Sequence, residues 1–350
     1  MISFWNGLVD GLDAHAVTPF LSAVHLTHLA GNPRDIAEAL LIAAAQVIVI
    51  ACVFRPLESL WPAERWDERG LTRIDRTYTL LMLLGLNPLF AYLVLTPFAN
   101  ALGDTAAPPD AASGLAAWVP WFQSHPLALF LAYYAIYDFA YYWMHRVQHW
   151  IPWWWALHSM HHSQRQMSCW SNDRGSYVDG MLQSVFLASV GLFIGVQPDQ
   201  FALLMFVGEL VQNFSHANVR IGFGPLRRLF VDPRFHRLHH MVVDPARPNL
   251  HNCNYGQVLS IWDVLFGTAL YDEPPRPTGV GDPVVDADNG RGVVAMQWGA
   301  FRRFWGALWT RAGWTPGDVA FGQDYRPVPV RHLDLHAFVQ ADPREASPTT

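Results

Sequence analysis

Eight of the sixteen histidines fall into three tight clusters. His145 and His149 form H-x-x-x-H; His158, His161 and His162 form H-x-x-H-H; and His236, His239 and His240 repeat that second spacing. At this histidine frequency one H-x-x-H-H is expected by chance about 0.03 times per chain, so two copies mark a built feature. On a helix, residues i and i+4 share a face about 6 Å apart along the axis, so His145 and His149 can hold one ion or reach toward a pair. In H-x-x-H-H the first two rings share a face and the third turns away by roughly 100°, so each unit can feed two neighbouring ions. Eight imidazoles exceed the roughly four to six ligands of a single ion, whereas two ions with positions left open fit the count. Imidazole suits iron, zinc, copper and nickel, and spacing does not choose among them.

The clusters contain no bridging carboxylate, unlike the glutamate-rich di-iron bundles, and the absence of H-E-x-x-H disfavours a zinc metalloprotease. A ligating histidine normally donates its second N–H to a carboxylate or carbonyl. Asp138, Asp173, Asp179, Glu209, Asp232 and Asp263 are the carboxylates available for that task. Helical phase supports Asp138, which shares a face with Tyr142 and His145. His15, His25, His28, His125, His332 and His336 lack partners at ligand spacing and read as structural.

These residues must be positioned by an apolar scaffold. The chain is 51% hydrophobic and only 15% charged, where a soluble domain averages about a quarter charged, and mean hydropathy is +0.12. Three apolar runs, Ala39–Phe54, Thr79–Phe98 and Pro126–Met144, approach the roughly 20 residues that a spanning helix needs. Asn87-Pro88 marks an expected kink in the second. Residues 181–197 and 201–213 read as a helical hairpin. The expected fold is therefore an all-α, polytopic transmembrane bundle of about four spans. It would comprise an N-terminal membrane region (1–125), a catalytic region (126–272) and a C-terminal extension (273–350). Residues 272–292, rich in Pro, Gly and Asp, read as a linker or extended loop. Residues 293–311, with Trp298, Trp305 and Trp309 among arginines, read as an amphipathic helix at the membrane interface.

Arg55, Arg65, Arg69, Arg73 and Arg76 lie between the first two runs, while residues 99–125 hold no arginine. Positive-inside logic then puts all three histidine clusters on the cytoplasmic side, as a metal-binding cap that a lipid tail could reach from the bilayer. Trp143, Trp150, Trp153, Trp154 and Trp155 bracket that depth. The net charge of −6 leaves no basic footprint for nucleic acid. Cys52, Cys169 and Cys253 give no CxxC pair and read as free thiols. No charged n-region precedes the first apolar residues, so no cleavable signal peptide is expected. All 23 cationic residues are arginine. That bias and the lack of retrieval signals favour a bacterial inner membrane.

The stretch from Asp138 through His145 to His149, then Leu157 to Ser163, then Phe235 to His240, resembles the fatty acid hydroxylase/sterol desaturase superfamily. Asn254-Tyr255-Gly256 and Ile261 to Thr268 continue the likeness. It covers roughly residues 130–270. The resemblance implies a centre of two iron ions, dioxygen as oxidant, and hydroxylation, desaturation or demethylation of a lipid or sterol. It implies His216 as a ninth ligand, and supporting roles around the metal for Asp138, Asn254, Tyr255 and Asp263. Some relatives carry a further histidine about a dozen residues after the second cluster. Here residues 173–179 have none, and His251 is the substitute considered. No fused haem or iron–sulfur module is apparent, so a separate ferredoxin or cytochrome is expected to supply electrons. A divalent-metal transporter, or a lipid-binding protein without turnover, would also explain histidines beside apolar helices. Transporter sites, however, usually lie at the bilayer midplane on broken helices, whereas these clusters flank the spans.

Overall fold

The computed structural model describes residues 2–27, 32–66, 69–102, 113–196, 198–242, 250, 252–271, 273–274, 276–289 and 291–309. His28, His251, His332 and His336 lie outside the described residues. Within them every regular element is a helix, supplemented by isolated bridges at Pro62–Val219 and Met241–Thr278. The protein is all-α, as expected.

Three helical stretches are long and apolar enough to cross a membrane: Pro33–Leu60, Gly70–Ala99 and Tyr177–Ile194. The expected span at Pro126–Met144 forms the start of a 25-residue helix, Pro126–Trp150. Tyr133, Tyr134, Tyr137, Tyr141, Tyr142 and Asp138 hold its hydropathy below that of the other three.

Proline shapes the N-terminal helices in a regular way. Asp13–Val17, Ile50–Phe54, Met82–Leu86 and Ala91–Leu95 are π-helical, and each ends two residues before a proline: Pro19, Pro56, Pro88 and Pro97. A proline ring clashes with the carbonyl four residues earlier and offers it no N–H. One wide π turn displaces that carbonyl without ending the helix. The kink expected at Asn87-Pro88 is thus absorbed as a π segment.

Contacts divide the chain into two compact units, each assembled from separated stretches. The first comprises Met1–Ala51, Leu80–Tyr137 and Met181–Val207. Its core includes Val9, Val17, Leu21, Ile36, Ala37 and Tyr92, and a second cluster of Tyr133, Ile194, Val196 and Leu204. The Tyr133 hydroxyl donates to the Gly195 carbonyl at 3.0 Å, which satisfies a buried polar tip.

The second unit comprises Cys52–Thr79, Asp138–Gly180 and Gly208–Thr350, and it holds all three histidine clusters. In it the helix Val293–Trp309 packs along Pro152–His162. Ala307 meets Ala156, and Met296 and Ala300 meet Met160. The small residues let the two backbones approach. The opposite face leaves Trp298, Trp305 and Trp309 exposed, so this helix is amphipathic with its inner face on protein. The preceding segment is more than a linker: Val280 and Val285 pack on Trp155, and Asn289 hydrogen-bonds Ser163 and Arg174.

Buried charge is paired here. Arg174 and Asp75, both fully buried, meet at 3.0 Å, and Arg237 meets Glu64 at 2.7 Å. Glu58 accepts from the backbone N–H groups of Cys169 and Asn218 at 2.7 and 2.8 Å, tying two distant segments together. Removing one partner of a buried pair strands the other charge. Arg174→Met is therefore expected to cost about 3–5 kcal/mol of stability, with part recovered in the Asp75→Asn/Arg174→Met double variant. Chemical unfolding in detergent measures this, and an unchanged midpoint would show that the pair carries no structural weight.

Candidate metal centre

Each cluster sits at a helix end whose start is chemically marked. His145 and His149 occupy the last turns of Pro126–Trp150. Pro152, at the first helical position, restarts the chain as Pro152–His162, which carries His158, His161 and His162. Asp232 caps Pro233–His239 by accepting from the Phe235 N–H at 2.8 Å, and so fixes the helix of the third cluster. His216 follows directly on the helix Pro198–Ser215.

The rings converge as two groups. His145, His149, His158, His162 and His239 form one, and His161, His216, His236 and His240 the other; within each, one nitrogen per ring lies within 4.8 Å of all the rest. Each H-x-x-H-H unit is split between the groups, but by its second ring and not its third: His158 stays with His162 and His236 with His240, four residues apart on one face, while His161 and His239 join the other group.

The partners of the outer nitrogens define the tautomers. Nδ1 of His145 contacts the Tyr255 carbonyl at 2.9 Å, and Nδ1 of His239 the Cys253 carbonyl at 2.7 Å. Nδ1 of His161 contacts the Arg174 carbonyl at 3.0 Å, and Nδ1 of His216 the Gln212 carbonyl at 2.7 Å. Nδ1 of His158 contacts Asp179 Oδ2 at 2.9 Å. Carbonyls only accept, as does an ionised carboxylate, so each Nδ1 donates and each Nε2 presents a bare lone pair inward. Yet Nε2 of His145 and His239 are 3.0 Å apart, and Nε2 of His161 and His216 are 3.2 Å apart. Two lone pairs cannot hydrogen-bond to each other. They can be ligands at roughly right angles on one ion about 2.1 Å from each. One pair with both tautomers fixed occurs in each group, and in the four-ring group Nε2 of His236 also lies 3.2 Å from that of His216 and 3.1 Å from that of His240. Nε2 of His158 and of His162 are, in addition, buried without a hydrogen-bond partner. The donor set thus fits two cations.

Electrostatics agree. Burial, reinforced by neighbouring imidazoles, pushes His161, His162, His236 and His240 well below the usual histidine range. Burial likewise lowers His216 to about 4. At neutral pH these rings are uncharged, which is the ligating form.

The loop carrying Tyr255 and Cys253 is itself held in place. Asp263 accepts from the N–H groups of Tyr255 and Gly256, both at 2.8 Å, and from the Thr268 hydroxyl at 2.6 Å. A Cβ on Gly256 would lie 2.6 Å from the Leu259 carbonyl oxygen, so only glycine fits. Asn254 adopts φ 58°, and its side chain bonds the Phe235 carbonyl at 2.8 Å and the Leu270 N–H at 2.7 Å. Asp138 contributes through the same loop: its oxygens accept from Val258 N–H, Leu259 N–H and Trp262 Nε1 at 3.0, 3.1 and 2.9 Å. Helical phase pointed Asp138 toward an imidazole, but those bonds turn its carboxylate to the loop.

Residues 130–268 match the fatty acid hydroxylase family. The chain is 32% identical over 226 residues to the ornithine lipid hydroxylase of Rhizobium tropici, covering 63% of this chain and 64% of the relative. It is 28% identical over 217 residues to human alkylglycerol monooxygenase, covering 58% and 46%. It is 31% identical over 134 residues to a Δ7-sterol 5(6)-desaturase of Gibberella zeae, covering 37% and 38%. The chain spans about half the length of the first relatives it matches. No solved structure matches it.

The matched stretch contains all nine converging histidines together with Asp138, Asn254, Tyr255 and Asp263. Sequence reasoning did not single out Asp179, which accepts from His158, from Gln148 Nε2 at 2.8 Å and from Trp154 Nε1 at 2.8 Å. It lies 21 residues beyond His158, so no local spacing reports it. A cavity of about 500 Å³ reaches the five-histidine group. His149 and Tyr255 form part of its wall, with Trp143, Val147 and Trp150 as apolar lining and Arg146, Asn252 and Thr268 as polar lining.

Asp179→Asn takes the charge from the His158 partner while keeping its shape. Metal affinity is expected to fall about 10–100-fold, read by competition with a chelator. Unchanged affinity would show that Asp179 only packs.

Proposed function

We propose that this chain is an integral membrane, di-iron, dioxygen-dependent oxidoreductase that hydroxylates or desaturates a lipid or sterol-like substrate. The two facing pairs of histidine lone pairs, one in each group, carry this reading. His145, His149, His158, His162 and His239 would hold one iron, and His161, His216, His236 and His240 the other. Two bound irons would supply dioxygen activation toward an unactivated C–H bond. In hydroxylation, one oxygen atom enters the C–H bond. The other leaves as water, using two protons and two electrons from a separate ferredoxin or cytochrome. The cytoplasmic face of a bacterial inner membrane is the proposed location.

The chain's own residues account for the rest. Burial lowers the proton affinity of His145, His161, His162, His216, His236 and His240 and so keeps protons off those rings at neutral pH. The carbonyls of Tyr255, Cys253, Arg174 and Gln212 and the carboxylate of Asp179 hold the rings in one tautomer. Trp143, Val147 and Trp150 give the cavity beside His149 an apolar lining suited to an alkyl chain or ring system, and exclude water from it.

Elemental analysis of protein purified from iron-supplied cells, with Mössbauer spectroscopy, is expected to show two coupled irons per chain. His161→Ala and His239→Ala each remove a ligand from a different group. Each is expected to abolish lipid-dependent oxygen consumption while the protein still inserts and purifies. Full activity in either variant, or a single zinc per chain in the parent, would sink the proposal.

A further inference from the structure

The cavity beside His149 contains a cation that no carboxylate of the described residues meets at ion-pair distance. Arg146 lies in its wall. The guanidinium sits 5.2 Å over the Trp143 ring and donates one hydrogen bond, Nη1 to the Tyr142 hydroxyl at 3.3 Å. Asp263 feels its charge but spends its oxygens on the Tyr255 and Gly256 N–H groups and the Thr268 hydroxyl, so it makes no direct ion pair with the guanidinium. The buried arginines of the same unit differ: Arg174 has Asp75, Arg237 has Glu64 and Arg303 has Asp288. A guanidinium carries five N–H donors in a planar fork that matches two oxygens of a carboxylate or phosphate. Stacking on Trp143 holds that fork in the cavity at low entropic cost.

We propose that Arg146 recognises an anionic group, a carboxylate or phosphate, at the polar end of the amphiphilic substrate. The proposal rests on the lipid-oxidising reading and narrows it to lipids with an anionic headgroup. Arg146 and His149 are three residues apart on one helix, about one turn, and both line the cavity. A lipid held by its anion at Arg146 therefore presents carbons near its headgroup to the histidine wall, and its distant methyl end stays away.

The test is equilibrium binding to the metal-loaded protein in neutral detergent without reductant, so that no turnover occurs. Hexadecyl phosphate, hexadecanol and hexadecyltrimethylammonium share one chain and differ in headgroup charge. The parent is expected to bind hexadecyl phosphate roughly ten- to a hundredfold more tightly than the other two. Arg146→Ala and Arg146→Gln should each erase that preference, with Arg146→Lys keeping part of it. Hexadecanol affinity and bound metal should be retained and serve as the folding control. A parent without preference, or an Arg146→Ala protein that keeps it, overturns the proposal. So does inorganic phosphate binding as tightly as hexadecyl phosphate, since the ligand would then be a free anion. Iron content and oxygen consumption are read separately on the same preparations. A phosphate preference in a protein without iron would sink the oxygenase reading and leave the Arg146 site standing.

Discussion

A histidine that offers Nε2 to a metal is held in that tautomer when something accepts its Nδ1–H, and for His145, His158, His161, His216 and His239 the protein supplies that acceptor. Nine rings packed as two groups multiply this demand. Helix interiors meet it less readily, because their carbonyls already accept from the N–H four residues on; the Gln212 carbonyl does both, taking the His216 N–H at 3.0 Å and its Nδ1 at 2.7 Å. Unspent carbonyls lie at helix ends and in irregular backbone. Tyr255 and Cys253 lie in a loop without regular structure, Arg174 follows the turns after the second cluster, and Gln212 is in the last turn of its helix. Helices therefore deliver the rings, while loops and helix ends lock their tautomers.

Loops used this way must be as rigid as helices. Polar side chains buried in this unit serve that end. Asp263 and Asn254 shape the turn that presents the Tyr255 carbonyl, and Asp138 pins the next stretch, Val258 to Trp262, to the helix that bears His145. Arg174 has two tasks. Its carbonyl holds His161 while its guanidinium is anchored by Asp75 and Ser163. Such networks rigidify the backbone they hold and specify one arrangement of it. This accounts for the density of buried polar residues in a chain whose composition is that of a membrane protein.

The histidine clusters were legible because ligand geometry on a helix leaves a short-range trace, spacings of three and four. The long helices were legible for a similar reason, since an apolar run of twenty residues is its own signature. His216 came from family likeness alone, and its place among His161, His236 and His240 has no local pattern to announce it. Asp179 and Asp138 show the limit more sharply. Both were among the carboxylates considered, and helical phase favoured Asp138 because it shares a face with His145. Phase reports which way a side chain leaves its own helix, not which segment comes to meet it. The loop at residues 258–262 occupies Asp138, while Asp179 starts a helix that brings it to His158. The π turns before Pro19, Pro56, Pro88 and Pro97 were hidden differently. Proline predicts strain in a helix but not whether the strain is released as a kink or as a wider turn.

The two histidine groups are not chemically equivalent. In the five-ring group, His158 donates to a carboxylate, which makes that imidazole a stronger electron donor than a carbonyl partner would. The anchors on His161 and His216 in the four-ring group are neutral carbonyls. The cavity reaches the five-ring group, at His149. The asymmetry thus follows access: the ring set that faces the cavity has the anionic partner behind it. Neutral ligands would leave most of the charge of two bound cations uncompensated, so field lines from an occupied centre would extend into the apolar cavity. Arg146 adds a further positive charge to the same wall. An anionic amphiphile is the kind of molecule that such a cavity attracts and that its apolar lining retains.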